Sequence, residues 1–165
     1  MVTILQSDQP VLRTKATPIG PELFGTSELA KILDNMSHAL ATCDDGVALA
    51  APQIGISLRI FIVSAKVFIN EGDTPGPDAV FINPIITKRS KKIVTLDEGC
   101  LSVRWLYGKT KRSEKVTVEA QDEHGNKFTW NGSGLLAQIF QHEIDHLDGI
   151  LFIDHATDVE EIKPA

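Results

Sequence analysis

Positive charge is scarce in this chain: 16 Lys and Arg stand against 22 Asp and Glu, a formal net charge of −6. Without a basic excess the sequence is a poor candidate for gripping phosphates, and no nucleic-acid site is expected. Cysteine is scarcer, with only Cys43 and Cys100. Two cysteines make no disulfide framework, so a reducing compartment, the cytoplasm, is the expected location. No apolar run reaches the length needed to cross a bilayer, and no membrane partner is expected. The stretch from Met1 to Asp8 lacks the basic region and apolar core of a secretory signal. Internal repeats and low-complexity segments are absent. One Pro/Gly-rich stretch, Glu71 to Asp78, reads as a surface loop because apolar strand-like runs flank it closely.

What remains is an ordinary globular composition, 42% apolar and 23% charged over 165 residues. That length suits one domain with a real core, taken as residues 1–165 with a short, weakly patterned tail after about Asp154. Leu29, Ile32, Leu33, Met36 and Leu40 recur at helical spacing after Thr26 or Ser27 as a cap, and Asp44-Asp45-Gly46 breaks the helix after Cys43. Strand-like runs follow at Arg59 to Val63, Ala79 to Ile82 and Lys92 to Leu96. Val116, Val118 and Ala120 alternate with polar residues, and His124-Gly125-Asn126 turns the chain into Lys127 to Trp130 as a hairpin. A second helix begins near Gly134, with Leu135, Ile139, His142 and His146 on one face. Helix, strands, helix, without regular alternation, argues an α+β fold.

The chemistry centres on Gln141-His142-Glu143-Ile144-Asp145-His146. Two histidines at i and i+4 on a helix point the same way, so their imidazoles can share one cation. Glu143, beside the first of them, is placed to take and return a proton from water activated by that cation. The bland alternative, an HExxH on a surface helix by chance, conflicts with the apolar company of Leu135, Ile139 and Leu147. The third ligand is open. A downstream histidine is excluded because Phe152 holds that position, although Gly149 is in place; Glu160 and Glu161 are the downstream carboxylates. Cys100, in Glu98-Gly99-Cys100-Leu101-Ser102, is the better candidate, since a thiolate with two imidazoles leaves the fourth tetrahedral position for water. Cys43, with no such motif around it, is assigned to the core. Gly46-Val47-Ala48-Leu49-Ala50-Ala51-Pro52-Gln53 is small and apolar. It is either tight packing or a cleft wall that lets a backbone approach, with the Gln53 amide able to polarise a carbonyl.

Those three motifs, in this order, resemble the peptide deformylases, whose pattern is G-φ-G-φ-A-A-x-Q, E-G-C-φ-S and H-E-x-x-H, with φ apolar. The likeness extends to Ile4 through Arg13, read as an N-terminal strand, to Phe81-Ile82-Asn83-Pro84, to Arg112, Val116 and Val118, and to Gly134-Leu135-Leu136-Ala137. The resemblance implies antiparallel sheets packed around a central helix carrying the HExxH motif. It implies one divalent metal, commonly Fe²⁺ with Zn²⁺, Ni²⁺ or Co²⁺ as substitutes, on Cys100, His142 and His146. Glu143 would be the general base, and Gln53 with the Leu101 backbone N–H would hold the oxyanion. Val47, Leu135 and Ile139 would line the pocket for the first side chain, with Gly46, Ala48, Glu98 and Gly99 also at the substrate. Formate would be released from formylated polypeptide N-termini. Ala48 replaces a family glycine, Arg104-Trp105 replaces a proline-containing step, and the tail is short and acidic where bacterial members carry a basic helix suited to the ribosome. The competing readings are a small HExxH metallopeptidase and a relative that binds chain ends without turnover. An internal ion pair between Glu98 and Arg112 is also expected, because an acid beside a buried ligand loop needs a partner.

Overall fold

The computed structural model describes residues 2–70 and 72–165; Met1 and Glu71, at the edges of two stretches read above, lie outside the described residues. Residues 72–77, the remainder of the Pro/Gly-rich stretch, are exposed and lack regular structure. The first helix, α1 (Ser27–Ala41), starts where the Thr26 hydroxyl accepts a hydrogen bond from Leu29 N at 3.2 Å, satisfying one otherwise orphaned donor. Its apolar face, Leu29, Met36 and Leu40, packs on Leu49, Ile60, Ile62 and Ile82. Two antiparallel sheets follow. The larger runs in the order β1 (Ala48–Ala50), β2 (Ile60–Val63), β3 (Ala79–Arg89), β6 (Lys115–Gln121) and β7 (Lys127–Ser133). The smaller runs β4 (Ile93–Gly99), β5 (Leu106–Ser113) and β8 (Thr157–Glu161).

Every residue of β2 is buried, and its alternation divides the core: Ile60 and Ile62 go to α1, Phe61 and Val63 to the second helix, α2 (Leu135–Leu147). Phe61 stacks on Phe81 at 4.6 Å, and Phe140 of α2 meets Phe81 at 5.1 Å. Gly132 on β7 makes room for that ring, because a Cβ there would lie 2.8 Å from it. The second helix touches β1, β2, β6 and β7 of the larger sheet and β5 of the smaller one, so within this α+β fold the HExxH helix packs against both sheets.

Several expectations are corrected. Ile4 through Arg13 forms no strand: Pro10 removes a donor and opens a short 3₁₀ turn over Pro10–Arg13, while Leu5 N donates to Gln53 O at 2.8 Å. Asn83 interrupts β3 with φ 51°, a conformation asparagine tolerates. Its side chain pins Ile19 through both backbone groups, at 2.9 and 3.0 Å. The short, weakly patterned tail carries a strand, Thr157–Glu161, which pairs as β8 with β5. Cys43 is half-buried at the end of the α1 connection rather than in the core, beside the exposed Thr42 and Asp44.

Candidate metal centre and cleft

Two elements build the site. The second helix carries His142 and His146, one turn apart, with ring centroids 4.9 Å from each other. At the end of β4 the chain delivers Cys100, whose Sγ lies 3.2 Å from His146 Nε2 and accepts a hydrogen bond from Ser102 N at 3.4 Å. One ligand atom from each of Cys100, His142 and His146 falls within 4.8 Å of the others. Glu160 and Glu161, the alternative third ligands, sit on β8 opposite Tyr107 and Leu106 and are outside this group. Gly149 has a purely structural place. The Ile150 and Gly149 N–H groups close the last turn of α2 onto Asp145 O (2.9 Å) and His146 O (3.1 Å), and Gly149 takes φ 76°. Phe152 is buried, with its ring stacked toward His142 at 6.3 Å.

The expected pair of Glu98 and Arg112 is present and fully buried, with Arg112 Nη2 to Glu98 Oε2 at 2.6 Å and Nε to Oε1 at 3.1 Å. Arg112 also holds Asp145 at 2.7 Å. Thr110 Oγ1 and Gln138 Nε2 donate to Glu98 Oε1 at 3.0 and 3.2 Å, and His142 Nδ1 lies 2.8 Å from Oε2. Glu98 thus borders the cleft, but its carboxylate is occupied behind His142. Burial alone would raise its pKa, yet the hydrogen bonds from His142 and Arg112 outweigh it and hold the carboxyl well below the usual range. An ionised Glu98 fixes the proton of His142 on Nδ1 and leaves Nε2 as the ligand atom. Burial would lower the His142 pKa, but Cys100 and Glu98 raise it well above its ordinary value; a cation binding there takes the place of that proton. His146, buried and next to the charge of His142, is pushed well down and stays neutral.

Glu143 is buried and its pKa is pushed up to about 7 by that burial; Oε2 has no hydrogen-bond partner among the described residues. A buried carboxyl oxygen without a partner is costly unless something binds beside it. One sulfur and two imidazole nitrogens are a donor set that suits a borderline divalent ion, so the residues present fit such a metal. Gln53 is held by Ala50 N, which donates to its Oε1 at 2.8 Å. Its Nε2 donates to Ser102 Oγ at 3.1 Å and lies 3.8 Å from Cys100 Sγ. The Leu101 backbone N–H donates to no group among the described residues, while its carbonyl accepts from Gln6 Nε2 at 3.0 Å.

A cleft of about 360 Å³ opens over this centre. One wall is Gly46, Val47 and Ala48, the other Asp97, Glu98 and Gly99, and Leu135 and Ile139 join the histidines below. All the residues expected at the substrate therefore border one space. The strands on the two sides, β1 and β4, are each the end strand of their sheet. Five cleft residues, Asp45, Asp97, Arg104, Tyr107 and Gln138, were not assigned to the site by the sequence reading. Gln138 stands one turn before His142 on the same helical face, a spacing that was available as a signal. Asp45 and Arg104 close the mouth with a bidentate pair at 2.6 and 3.1 Å, and no sequence pattern joins residues so far apart.

The comparisons with known proteins agree with this geometry. The family model described as polypeptide deformylase matches residues 1–161. Peptide deformylase 2 of Clostridium acetobutylicum is 41% identical over 153 residues, covering 92% of this chain and 93% of that protein. The peptide deformylase of Thermomicrobium roseum is 44% identical over 157 residues, covering 94% and 86%. A Met-Ala-Ser-bound crystal structure of class I type b peptide deformylase from Acinetobacter baumannii superposes with a TM-score of 0.83 at 32% identity, covering 93% of this chain and 98% of that one.

Proposed function

This chain belongs to the polypeptide deformylase family, and we propose from its geometry how it removes the formyl group from formyl-methionyl polypeptides and releases formate. The observation that carries the mechanism is the gathering of Cys100, His142 and His146 within 4.8 Å, next to the unpaired oxygen of buried Glu143. Those three residues would hold one divalent ion, Fe²⁺ as the native metal with Zn²⁺, Ni²⁺ or Co²⁺ as substitutes. Bound there, the ion would lower the pKa of a coordinated water enough to supply hydroxide near neutral pH. Glu143 would take a proton from water as the water oxygen adds to the formyl carbon, and would return it to the amine nitrogen as the formyl C–N bond breaks, leaving formate and a free amine. The Gln53 amide and the Leu101 N–H hold the formyl oxygen as negative charge develops on it.

Val47, Leu135 and Ile139 take the methionine side chain, and the backbones of Gly46, Ala48 and Gly99 admit an extended peptide between two sheet edges. Glu98 serves from behind by orienting His142. The thiolate of Cys100 suits a reducing cytoplasm. The exposed β8, with Asp158, Glu160 and Glu161, would repel the phosphates of a ribosome rather than attract them. The deciding measurement is anaerobic formate release from formyl-Met-Ala-Ser, with metal content determined on the same sample. Stoichiometric metal without formate would favour a non-catalytic binder, and cleavage of internal peptide bonds would favour a metallopeptidase.

A further inference from the structure

The first residues of the chain reach both groups assigned to the oxyanion. Leu5 N donates to Gln53 O at 2.8 Å. Gln6, next to it, meets the loop after Cys100, 95 positions away, and uses both ends of its amide there. Its Nε2 donates to Leu101 O at 3.0 Å, and its Oε1 accepts from Arg104 N at 3.2 Å. Gln6 is itself exposed and does not border the cleft, so neither core packing nor substrate contact explains this double tie.

The loop that Gln6 meets is a tight turn, closed by Val103 N on Cys100 O at 3.0 Å. Across a trans peptide the carbonyl and the N–H point in opposite directions, so this bond aims the Leu101 N–H out of the turn. That N–H has no protein acceptor among the described residues, and Leu101 borders the cleft. The common turn types differ by a rotation of the middle peptide, so a turn keeps one form only where that peptide is held. Here it is held at both poles. Leu101 O takes the Gln6 amide, and Ser102 N donates to Cys100 Sγ at 3.4 Å. The far end of the loop is tied by Gln6 Oε1 at the Arg104 N–H and by the Arg104 guanidinium on Asp45. Without Gln6 the middle peptide would keep only its bond to sulfur, and the Leu101 N–H would move with it. A donor for developing charge is effective only where it is fixed before the charge appears.

We propose that Gln6 is a positioning residue for the reaction: it holds the Leu101–Arg104 loop so that the Leu101 N–H stays aimed at the formyl oxygen. The purpose of that N–H rests on the deformylase reading; the tether itself does not. The test uses full-length, Zn²⁺-loaded protein and two variants. Gln6→Met keeps the size and loses both hydrogen bonds. Gln6→Glu can still accept from Arg104 N but has no donor for Leu101 O. Formate release from formyl-Met-Ala-Ser is measured beside the ¹⁵N order parameters of the Leu101 and Ser102 amides. Both variants should lose about tenfold in kcat, a part of the roughly 10²–10³ that losing an oxyanion donor outright costs. KM should stay within about twofold, because Gln6 does not touch the peptide. The two order parameters should fall from about 0.85, a rigid backbone, towards about 0.6. Metal content should hold, and the thermal midpoint should stay within about 4 °C of wild type. A merely structural role would lower that midpoint and leave the two amides rigid in the folded protein. Unchanged kcat, a loss confined to KM, a Leu101 amide as rigid as in wild type, or wild-type turnover by Gln6→Glu would each overturn the proposal. Formate released equally by wild type and variants refutes the positioning role alone. A wild type that releases none, with Leu101 loosened in the variants, refutes the deformylase reading and leaves the tether standing.

Discussion

At the scale of single residues, Glu143 and Ala48 carry the sharpest consequences. Glu143→Ala removes the group proposed to move the proton but none of the ligand atoms. It should retain metal and lose at least about 10²-fold in kcat; full turnover with metal bound would assign the proton transfer elsewhere. Ala48 raises a different question, because a glycine there could serve either conformation or space. Its φ is not among the positive ones, and it sits buried in β1 on the cleft wall, so alanine is unstrained and only its methyl group matters. Ala48→Gly should raise kcat/KM for formyl-Met-Ala-Ser a few-fold through KM, about 1 kcal/mol or less of uniform binding, and should help formyl-Met less. An unchanged or poorer tripeptide substrate would show that the methyl does not crowd the peptide. The residues of the metal group were legible in the sequence because helical geometry links i to i+4 locally and the thiolate lies in a compact motif. Arg104 and Asp45 were not, since their pairing depends on where two loops meet in space.

At the scale of elements, the end of α2 shows how a motif can be read two ways. Gly149 could have belonged to a downstream histidine motif, but in the fold it terminates the helix that carries both histidines. Gly149→Ala would impose a left-handed φ on alanine, costing roughly 1–2 kcal/mol, and would bring a Cβ to 2.8 Å from the Arg13 carbonyl oxygen. A loss of at least about 2 kcal/mol in denaturant unfolding is expected. A stability within about 0.5 kcal/mol of wild type, the range of neutral surface changes, would mean that the turn relaxes freely. Strands with an apolar inward face, such as β2 and β6, were visible as patterns. The buried positions of β5 include Gly108, Thr110 and Arg112, polar or without a side chain, because that strand serves the Glu98 network. Its inward face carries no apolar period to detect. β8 is exposed at every position and is held by backbone pairing with β5, which leaves no mark in side-chain pattern.

At the scale of the whole molecule, the fold class was legible from the order of elements. The joining of distant segments was not. Arg13 reaches Asp154 across 141 positions at 2.6 Å and ties the first turn to the chain beyond α2. The hydrogen bond from Arg13 holds the Asp154 carboxyl below its ordinary 3.8. A depressed folded-state pKa means stability present above 3.8 and lost as pH falls through the lower folded value. Both side chains are partly exposed, so Arg13→Ala should cost only about 0.2–1 kcal/mol at pH 7. That difference from wild type should vanish in unfolding measured well below pH 3.8; a difference constant across pH would mean that the arginine acts through packing instead.

The end strands that border the cleft have a consequence beyond catalysis. Exposed strand edges invite neighbouring molecules to zip together, and a space shaped to admit an extended peptide is such an invitation from two sides. Here one border, β1, is three residues long, and the other, β4, carries Asp97 with its side chain 87% exposed. Three residues offer too few hydrogen bonds to anchor a foreign sheet, and the exposed ion pair of Asp97 with Lys109, at 2.8 Å, puts charged groups on the other border that an approaching sheet would have to desolvate. The shortness of β1 thus lets the cleft receive a chain end while keeping the folded molecules from aggregating through it.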